Sequence, residues 1–351
     1  MTLTFNYSNV VADHAEIKAE TYLSICIPTY NRVEKTFQLV KSILNYDGND
    51  VEVIVVDNCS TDSTQDLLKT ISDDRFKYLR NKEAIGGMPN ILNSMTYASG
   101  EYVLLCLDKD HVLPNKISQF IDQIKKSNFS VGQCSLDSSE FDKNITYKEG
   151  IDSIINIAYT SEHPSGLFIK NNIIKEKAFI KNIVDKYNAF AFLPELLKAE
   201  VALYGGTAGR INMPFVVTET REECAKEISH TYKGNNIYFM PDNVIIRFNI
   251  FKEHIDSLSI SAENKKKLTE RIYKSLLVSA AIEYKNIMLD EKICRHHGIN
   301  TRKVGKKEQI KYLWQFNRNF FNSNFSDNNF WKYKTTVILS TKLLLRILIK
   351  S

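Results

Sequence analysis

Apolar residues fall into two alternating patterns in the first third of the chain. Continuous runs occupy 23–27, 51–56 and 102–107, with a shorter one in FKYLRN at 76–81. Runs of this length, bounded by turn residues, read as strands. Between them lie segments with helical spacing. VEKTFQLVKSIL places Val33, Phe37, Val40, Ile43 and Leu44 on one face. STDSTQDLLKTI opens a second helix, with Asp62 or Ser63 able to cap it. EAIGGMPNILNSMTYASG gives a glycine pair and a third helix that stops at Gly100. The order is β-α-β-α-β-α-β. Strands of unbroken rather than alternating apolarity predict a mostly parallel α/β sheet with flanking helices on both faces. Ligands of such sheets bind at the carboxyl ends of the strands. Pro28-Thr29-Tyr30, Asp57 and the pair Asp108/Asp110 all stand at those ends, so the pattern sends them to one crevice.

Beyond Lys126 the rhythm loosens. FSVGQCSLDSSEF holds a strand, IDSIINIAYTSEHPSGLFIKNNII a helix, a loop and a strand, and GRINMPFVVTETR a further strand-like run. FAFLPELLKAEVALYGG reads as a helix with Pro194 in its first turn and Gly205-Gly206 at its end. From Ser257 the chain turns helical and basic, and FNRNFFNSNFSDNNF is the nearest thing to a linker. The division expected is a polar lead-in over 1–22 with room for a short helix, a first half over 23–126, a second over 127–255, and a helical C-terminal region over 256–351.

Composition changes little in this picture. Of 351 residues, 43% are hydrophobic and 25% charged, which is ordinary for a folded protein. A net charge of +5 is too small to argue for nucleic acid. The six cysteines form no CxxC pair, which points to a reducing compartment without disulfides or a zinc site. The first twenty residues lack the basic and apolar regions of a secretory signal, and no apolar run reaches the roughly 18 residues of a spanning helix.

The chemistry concentrates in LLCLDKDHVLP, residues 104–114. Two carboxylates this close repel unless a cation compensates them. Mg²⁺ or Mn²⁺ does so through oxygen ligands, commonly one or two carboxylates plus substrate phosphates. The plainer reading is a turn or helix cap. Asp57 could accept hydrogen bonds from a nucleobase or ribose, or close an Asx-turn. Tyr30 could stack on a base or pack in the core. Gly86-Gly87 fits neither a P-loop nor a dinucleotide fingerprint. His163 lies in a Pro/Gly loop where binding residues occur; His111 adjoins the aspartates; His230 and the pair His296-His297 have no obvious partners in sequence.

CIPTYNR, then EVIVVDNCSTDST, then IGGMPNILNSMTYASGEYVLLCLDKD, in this order and spacing, resemble the nucleotide-sugar-binding half of family 2 glycosyltransferases with the GT-A fold. The resemblance implies that Pro28, Thr29 and Tyr30 line a nucleobase pocket and that Asp57 holds the base or ribose. It places Asn90 where members carry an Arg-Asn pair, with Pro89 here in the arginine's position. Asp108 and Asp110 match the DxD that meets the ribose and, through Asp110, a metal on the diphosphate. It further implies an inverting transfer from a nucleotide-sugar donor, UDP-linked by preference, to a glycan or lipid-linked glycan in surface polysaccharide synthesis. Such a reaction needs a base for the acceptor hydroxyl. Glu195, at the start of its helix, is the expected residue, with Asp185 and Glu200 behind it; a carboxylate there also complements the helix dipole.

The last segment, WKYKTTVILSTKLLLRILIK, reads as an amphipathic helix. Val337, Ile338, Leu345, Leu348 and Ile349 would enter a lipid interface, with Lys342 and Arg346 toward headgroups and Trp331 and Tyr333 at the boundary. The same helix could dock on its own protein or join a homodimer. The expected location is the cytoplasmic side of a membrane, in peripheral contact. Two other functions compete with transfer. One is a non-catalytic scaffold that kept the fold. The other is a sugar-phosphate nucleotidyltransferase, against which PTYNRVEK speaks because it lacks the glycine-rich opening.

Overall fold

The computed structural model describes residues 10–12, 21–136, 143–219, 239–296, 298–322 and 329–349. It divides into two compact units, 1–219 and 220–351.

The first unit is built on a nine-stranded sheet. Its strands are β1 (Val10–Ala12), β2 (Leu23–Thr29), β3 (Val51–Asp57), β4 (Phe76–Asn81), β5 (Tyr102–Leu105), β7 (Val131–Cys134), β8 (Ile145–Tyr147), β9 (Leu167–Lys170) and β10 (Ala208–Ile211). The order across the sheet is β1-β4-β3-β2-β5-β9-β7-β10-β8. The block β4-β3-β2-β5 is parallel, as the continuous apolar runs require. Every residue of β2 and β3 is buried. Two short strands, β6 (His111–Val112) and β11 (Val216–Val217), pair as a separate ribbon.

Helices α1 (Val33–Leu44), α2 (Thr64–Leu68), α3 (Gly87–Ser94) and α4 (Ile117–Ser127) follow the early strands. The second half adds α5 (Ile151–Ile157), α6 (Asn171–Glu176), α7 (Phe179–Tyr187) and α8 (Leu193–Tyr204). α1 buries Thr36, Leu39, Val40 and Ile43. Asp62, not Ser63, caps α2: its Oδ1 accepts the Thr64 N–H at 3.0 Å. α8 has Pro194 in its first turn and Gly205 at its C-cap.

At the amino ends of the strands, Glu52 ties three segments together. Its Oε1 accepts from Ser24 Oγ at 2.5 Å and from the N–H groups of Ser99 and Gly100 at 2.6 and 3.2 Å. The opposite, carboxyl ends are thereby left for function.

Three features depart from the pattern read in the sequence. Part of the lead-in is a strand, β1, which pairs antiparallel with β4 at the edge of the sheet; the rest of 1–20 lies outside the described residues. Beyond β5 the sheet is mixed, because β9 inserts antiparallel between β5 and β7. The helical unit begins before Ser257: Pro241–Ser257 packs against Ala262–Val278 through a face that includes the buried Val244, Phe248 and Phe251.

That second unit continues through a π-helical turn, Ser279–Glu283, to helices Tyr284–Met288, Glu291–His296, Lys306–Asn322 and Asn329–Ile349. Phe248, Tyr273 and Phe316 form its aromatic centre, with ring centroids 5.4 to 6.1 Å apart.

Gly209 shows how tightly the outer sheet is closed. A Cβ there would overlap the Phe129 ring and the backbone oxygen of Ile145 on the neighbouring strand. Backbone cannot yield as a flexible side chain can, so Gly209→Ala is expected to destabilise by about 1–3 kcal/mol. A chemical melt against the unsubstituted chain checks this.

Candidate active site

The two aspartates stand in a turn rather than in a strand. β5 ends at Leu105, and the Asp110 N–H closes the turn on the Leu107 oxygen at 3.0 Å. The alternation of a strand is therefore broken, and the two carboxylates reach different partners.

Asp108 turns toward the end of β2. Its Oδ2 accepts the Thr29 hydroxyl at 2.8 Å, and its Oδ1 accepts from the Arg32 guanidinium at 2.8 Å. Burial pushes its pKa above the usual carboxylate range, while Arg32, Thr29 and the Tyr30 N–H pull the other way. Arg32 lies inside CIPTYNR but was not singled out from the sequence. The available signal was a cation directly after the strand end.

Asp110 turns toward the loop after α5. Its Oδ2 accepts the Ser165 hydroxyl and stands 3.7 Å from His163 Nδ1; its Oδ1 accepts the Glu219 N–H at 3.1 Å. Burial lowers the His163 pKa, opposed by Asp110. The His163 Nδ1 accepts the Ser165 N–H at 3.3 Å. Gly166 makes the close approach of this loop feasible: φ is +88° and a Cβ would stand 2.8 Å from Cys134 Sγ. Ser165 and Glu219 are 55 and 109 positions from Asp110, beyond the reach of local pattern.

The other expected site residues are placed as follows. Tyr30 is 40% exposed, beside the Asp108–Arg32 pair, with its ring open to a ligand. Pro28 and Thr29 are buried in β2. Asp57 is fully buried and its four acceptor positions are all taken. Ser60 N–H and Oγ bind Oδ1 at 2.8 and 2.5 Å, and Tyr78 OH and Arg80 bind Oδ2 at 2.6 and 2.9 Å. Instead of presenting a free carboxylate, it anchors the turn after β3 and aims Arg80. Asn90 is likewise internal: its Nδ2 donates to the Val56 oxygen at 2.9 Å, and its Oδ1 accepts from Asn81 at 2.9 Å. His111 is exposed on β6. His230 and His297 lie outside the described residues.

Glu195, the residue expected as base, is 2% exposed and its carboxylate is hydrogen-bonded on both oxygens. Oε2 accepts the Thr160 N–H at 2.8 Å, and Oε1 accepts from the Glu162 N–H at 3.2 Å and from Lys198 Nζ at 3.1 Å. Lys198, 1% exposed, also reaches Glu162 at 3.1 Å, and Glu162 pairs with Arg210. The cluster holds the 159–166 segment, where Tyr159 and Ser161 carry φ values of 58° and 60°. Residues other than glycine in this region are strained. Two backbone N–H bonds to one buried carboxylate, flanking and within that segment, keep it in place. Asp185 is on the exposed side of α7, paired with Lys181.

Asp110 can serve a hard divalent cation. Asp108 has Arg32, but among the described residues no lysine or arginine pairs with Asp110, whose neighbour within ion-pair distance is His163. Two of its acceptor positions remain open. Among the described residues no cluster of three His, Cys, Asp or Glu forms a cage. The arrangement suits an ion held by one carboxylate and completed by phosphate oxygens.

Residues 24–189 match the family model for glycosyl transferase family 2. A GalNAc(5)-diNAcBac-PP-undecaprenol beta-1,3-glucosyltransferase of Campylobacter jejuni is 34% identical over 121 residues, covering 33% of this chain and 38% of that protein. The UDP-Glc:alpha-D-GlcNAc-diphosphoundecaprenol beta-1,3-glucosyltransferase WfgD of Escherichia coli is 31% identical over 109 residues, covering 31% of this chain and 43% of that protein. The chain thus spans less than half the length of these relatives. The structure of S. aureus TarS 1-349 in complex with UDP-GlcNAc superposes with a TM-score of 0.55 at 13% identity, over 88% of this chain and 93% of that one. The likeness identifies the fold as GT-A-like. Residues 24–189, just under half of the chain, are thus matched as a glycosyl transferase family 2 domain.

Proposed function

We propose that this protein transfers a sugar from a nucleoside-diphosphate donor, UDP-linked by preference, to a hydroxyl of a lipid-linked glycan during bacterial surface polysaccharide synthesis. The observation that carries the reading is the meeting of Tyr30, Arg32, Asp108, Asp110, His163 and Ser165 at the carboxyl end of β2 and β5. An exposed ring lies beside a cation and two carboxylates, one of them without a Lys or Arg partner among the described residues. A base, a diphosphate and its counter-ion ask for those groups. The Campylobacter and Escherichia relatives, named for undecaprenol-linked acceptors and in one case for UDP-Glc, support the choice of acceptor and nucleotide.

In this reading the Tyr30 ring stacks on the nucleobase. Asp108, held by Thr29 and Arg32, keeps one acceptor position for a ribose hydroxyl. Asp110 would hold Mg²⁺ or Mn²⁺, and such an ion would supply positive charge to the diphosphate leaving group. The acceptor hydroxyl attacks the anomeric carbon from the face opposite the diphosphate, the bond to the diphosphate oxygen breaks as the new one forms, configuration inverts, and the hydroxyl proton passes to water in the open site. Glu195 contributes by holding the loop that carries His163 and Ser165.

The test is calorimetric titration of UDP, GDP, CMP and dTDP, each with and without Mn²⁺, into the full chain and its Asp110→Ala variant. One nucleoside diphosphate binds in the presence of metal, and Asp110→Ala removes that binding. Binding that ignores both the metal and Asp110 would sink the donor-site assignment.

A further inference from the structure

The Asn329–Ile349 helix buries Leu343 and Ile347 toward helices Lys306–Asn322 and Ala262–Val278. Its other face is apolar and open. Val337, Ile338, Leu345, Leu348 and Ile349 are between 43% and 75% exposed. At 100° per residue, Ile338, Leu345 and Ile349 lie in one line, with Leu348 and Val337 to one side and Lys342 and Arg346 to the other. Lys334, Lys342 and Arg346 are all exposed. The segment 329–349 contains no aspartate or glutamate.

A second element adds charge at the same end. Lys306 Nζ donates to the Leu348 oxygen at 2.9 Å. This places the segment 302–307, RKVGKK, beside the most exposed apolar residues of the helix. Lys303, Lys306 and Lys307 are exposed there. Five large apolar side chains are thus bordered by cations from two elements.

We propose that this face docks the protein on an anionic lipid bilayer, with the helix lying in the plane of the interface. A spanning role does not fit, because among the described residues no helix is long and apolar enough to cross a membrane. Pairing with the same face of a second copy does not fit either. An isologous contact sets a patch against itself, and here it would bring the Lys342/Arg346 border against its own copy with no acidic residue on the helix to answer it. A bilayer with anionic headgroups takes both halves of the pattern: apolar side chains enter the acyl boundary and the cations meet lipid phosphates. The side chains of Trp331 and Tyr333 lie outside the described residues and play no part in this argument. The inference deepens the acceptor reading above and rests on it for its purpose, since a lipid-linked acceptor is met at such a surface.

The experiment is flotation of the full chain with vesicles of phosphatidylcholine alone or mixed with phosphatidylglycerol. Two variants accompany it, Leu345→Ser/Leu348→Ser and Lys342→Gln/Arg346→Gln. The chain floats with the mixed vesicles and not with phosphatidylcholine alone, and added salt weakens the binding. Each basic group near an anionic surface is worth about fivefold, so the charge variant binds about 25-fold more weakly. The apolar variant stays at the bottom of the gradient. Absence of flotation, or flotation that both variants preserve, overturns the proposal. So does a dimer in light scattering that Leu345→Ser/Leu348→Ser splits while vesicle binding is nil. The calorimetric titration keeps the two readings apart. Nucleotide binding without flotation removes the surface and leaves the transferase; flotation without nucleotide binding does the reverse.

Discussion

Replacing Lys198 by methionine lowers the stability of the first unit by about 3–5 kcal/mol, the range for removing one partner of a buried ion pair. The cause is specific. Lys198 is 1% exposed and stands 3.1 Å from both Glu195 and Glu162. Methionine fills the volume but leaves Glu195 without a cation among the contacts described here, while Glu162 keeps Arg210. A melting curve should fall by on the order of 10 °C. The double variant Glu195→Gln/Lys198→Met removes both charges, and it recovers most of the loss while keeping an oxygen for the Thr160 N–H. The pH dependence has a definite sign. Burial raises the Glu162 pKa, but Lys198 and Arg210 outweigh it, so the folded value lies below 4.5. The stability this contributes is complete above the unfolded value and is lost as pH falls through the folded one. Acid therefore loosens this cluster through Glu162 as pH falls below the ordinary carboxylate range.

The consequence reaches the site. The cluster holds 159–166, and that segment delivers Ser165 and His163 to Asp110. Lys198→Met is expected to weaken metal-dependent nucleotide binding at temperatures where the chain is still folded. A buried network that served stability alone would leave the affinity of the folded fraction unchanged.

The central part of this architecture is legible in the sequence because its signals are local. β2, β3 and β5 are buried on both faces and show it as unbroken apolar runs, and α1 shows its buried stripe at helical spacing. The outer half is not legible in the same way. β9 pairs with β5 and β7 across 30 to 70 residues, and nothing in LFIK states that its direction is reversed. β1 has three residues and gains its identity only from β4.

The site divides along the same line. Asp108 and Asp110 announce themselves by standing together after an apolar run. Their partners do not, because Ser165, His163 and Glu219 are brought in by the fold. Asp57 at the end of β3 and Asn90 in α3 likewise have partners that local pattern does not announce: Arg80, Ser60 and Tyr78 for the first, Asn81 and the Val56 oxygen for the second. The partners of Glu195, in the first turn of α8, are equally distant from local pattern: a buried lysine and two loop N–H groups hydrogen-bond its carboxylate.

Arg32 offers the second large effect. Its guanidinium meets Asp108 Oδ1 at 2.8 Å, with Asp108 4% exposed and Arg32 about a third exposed. Removing the arginine leaves a buried carboxylate with the Thr29 hydroxyl and the Tyr30 N–H as its remaining donors. Truncating one member of such a pair typically costs 2–5 kcal/mol. The partial exposure of Arg32 admits water and places the expectation near the lower end, about 2 kcal/mol, or about 30-fold in nucleotide affinity. Asp108→Asn removes the charge but keeps an acceptor, so it should cost less on stability and a similar amount on binding. The double variant decides whether the two act as one. Residues that share a single interaction give non-additive losses, with coupling of about 0.5–3 kcal/mol. Arg32→Ala/Asp108→Asn should therefore bind nucleotide no worse than Arg32→Ala and melt above it. Additive losses in both measurements would mean that Arg32 meets the ligand independently, and that the Thr29 hydroxyl and the Tyr30 N–H alone suffice to hold Asp108 at the end of β2.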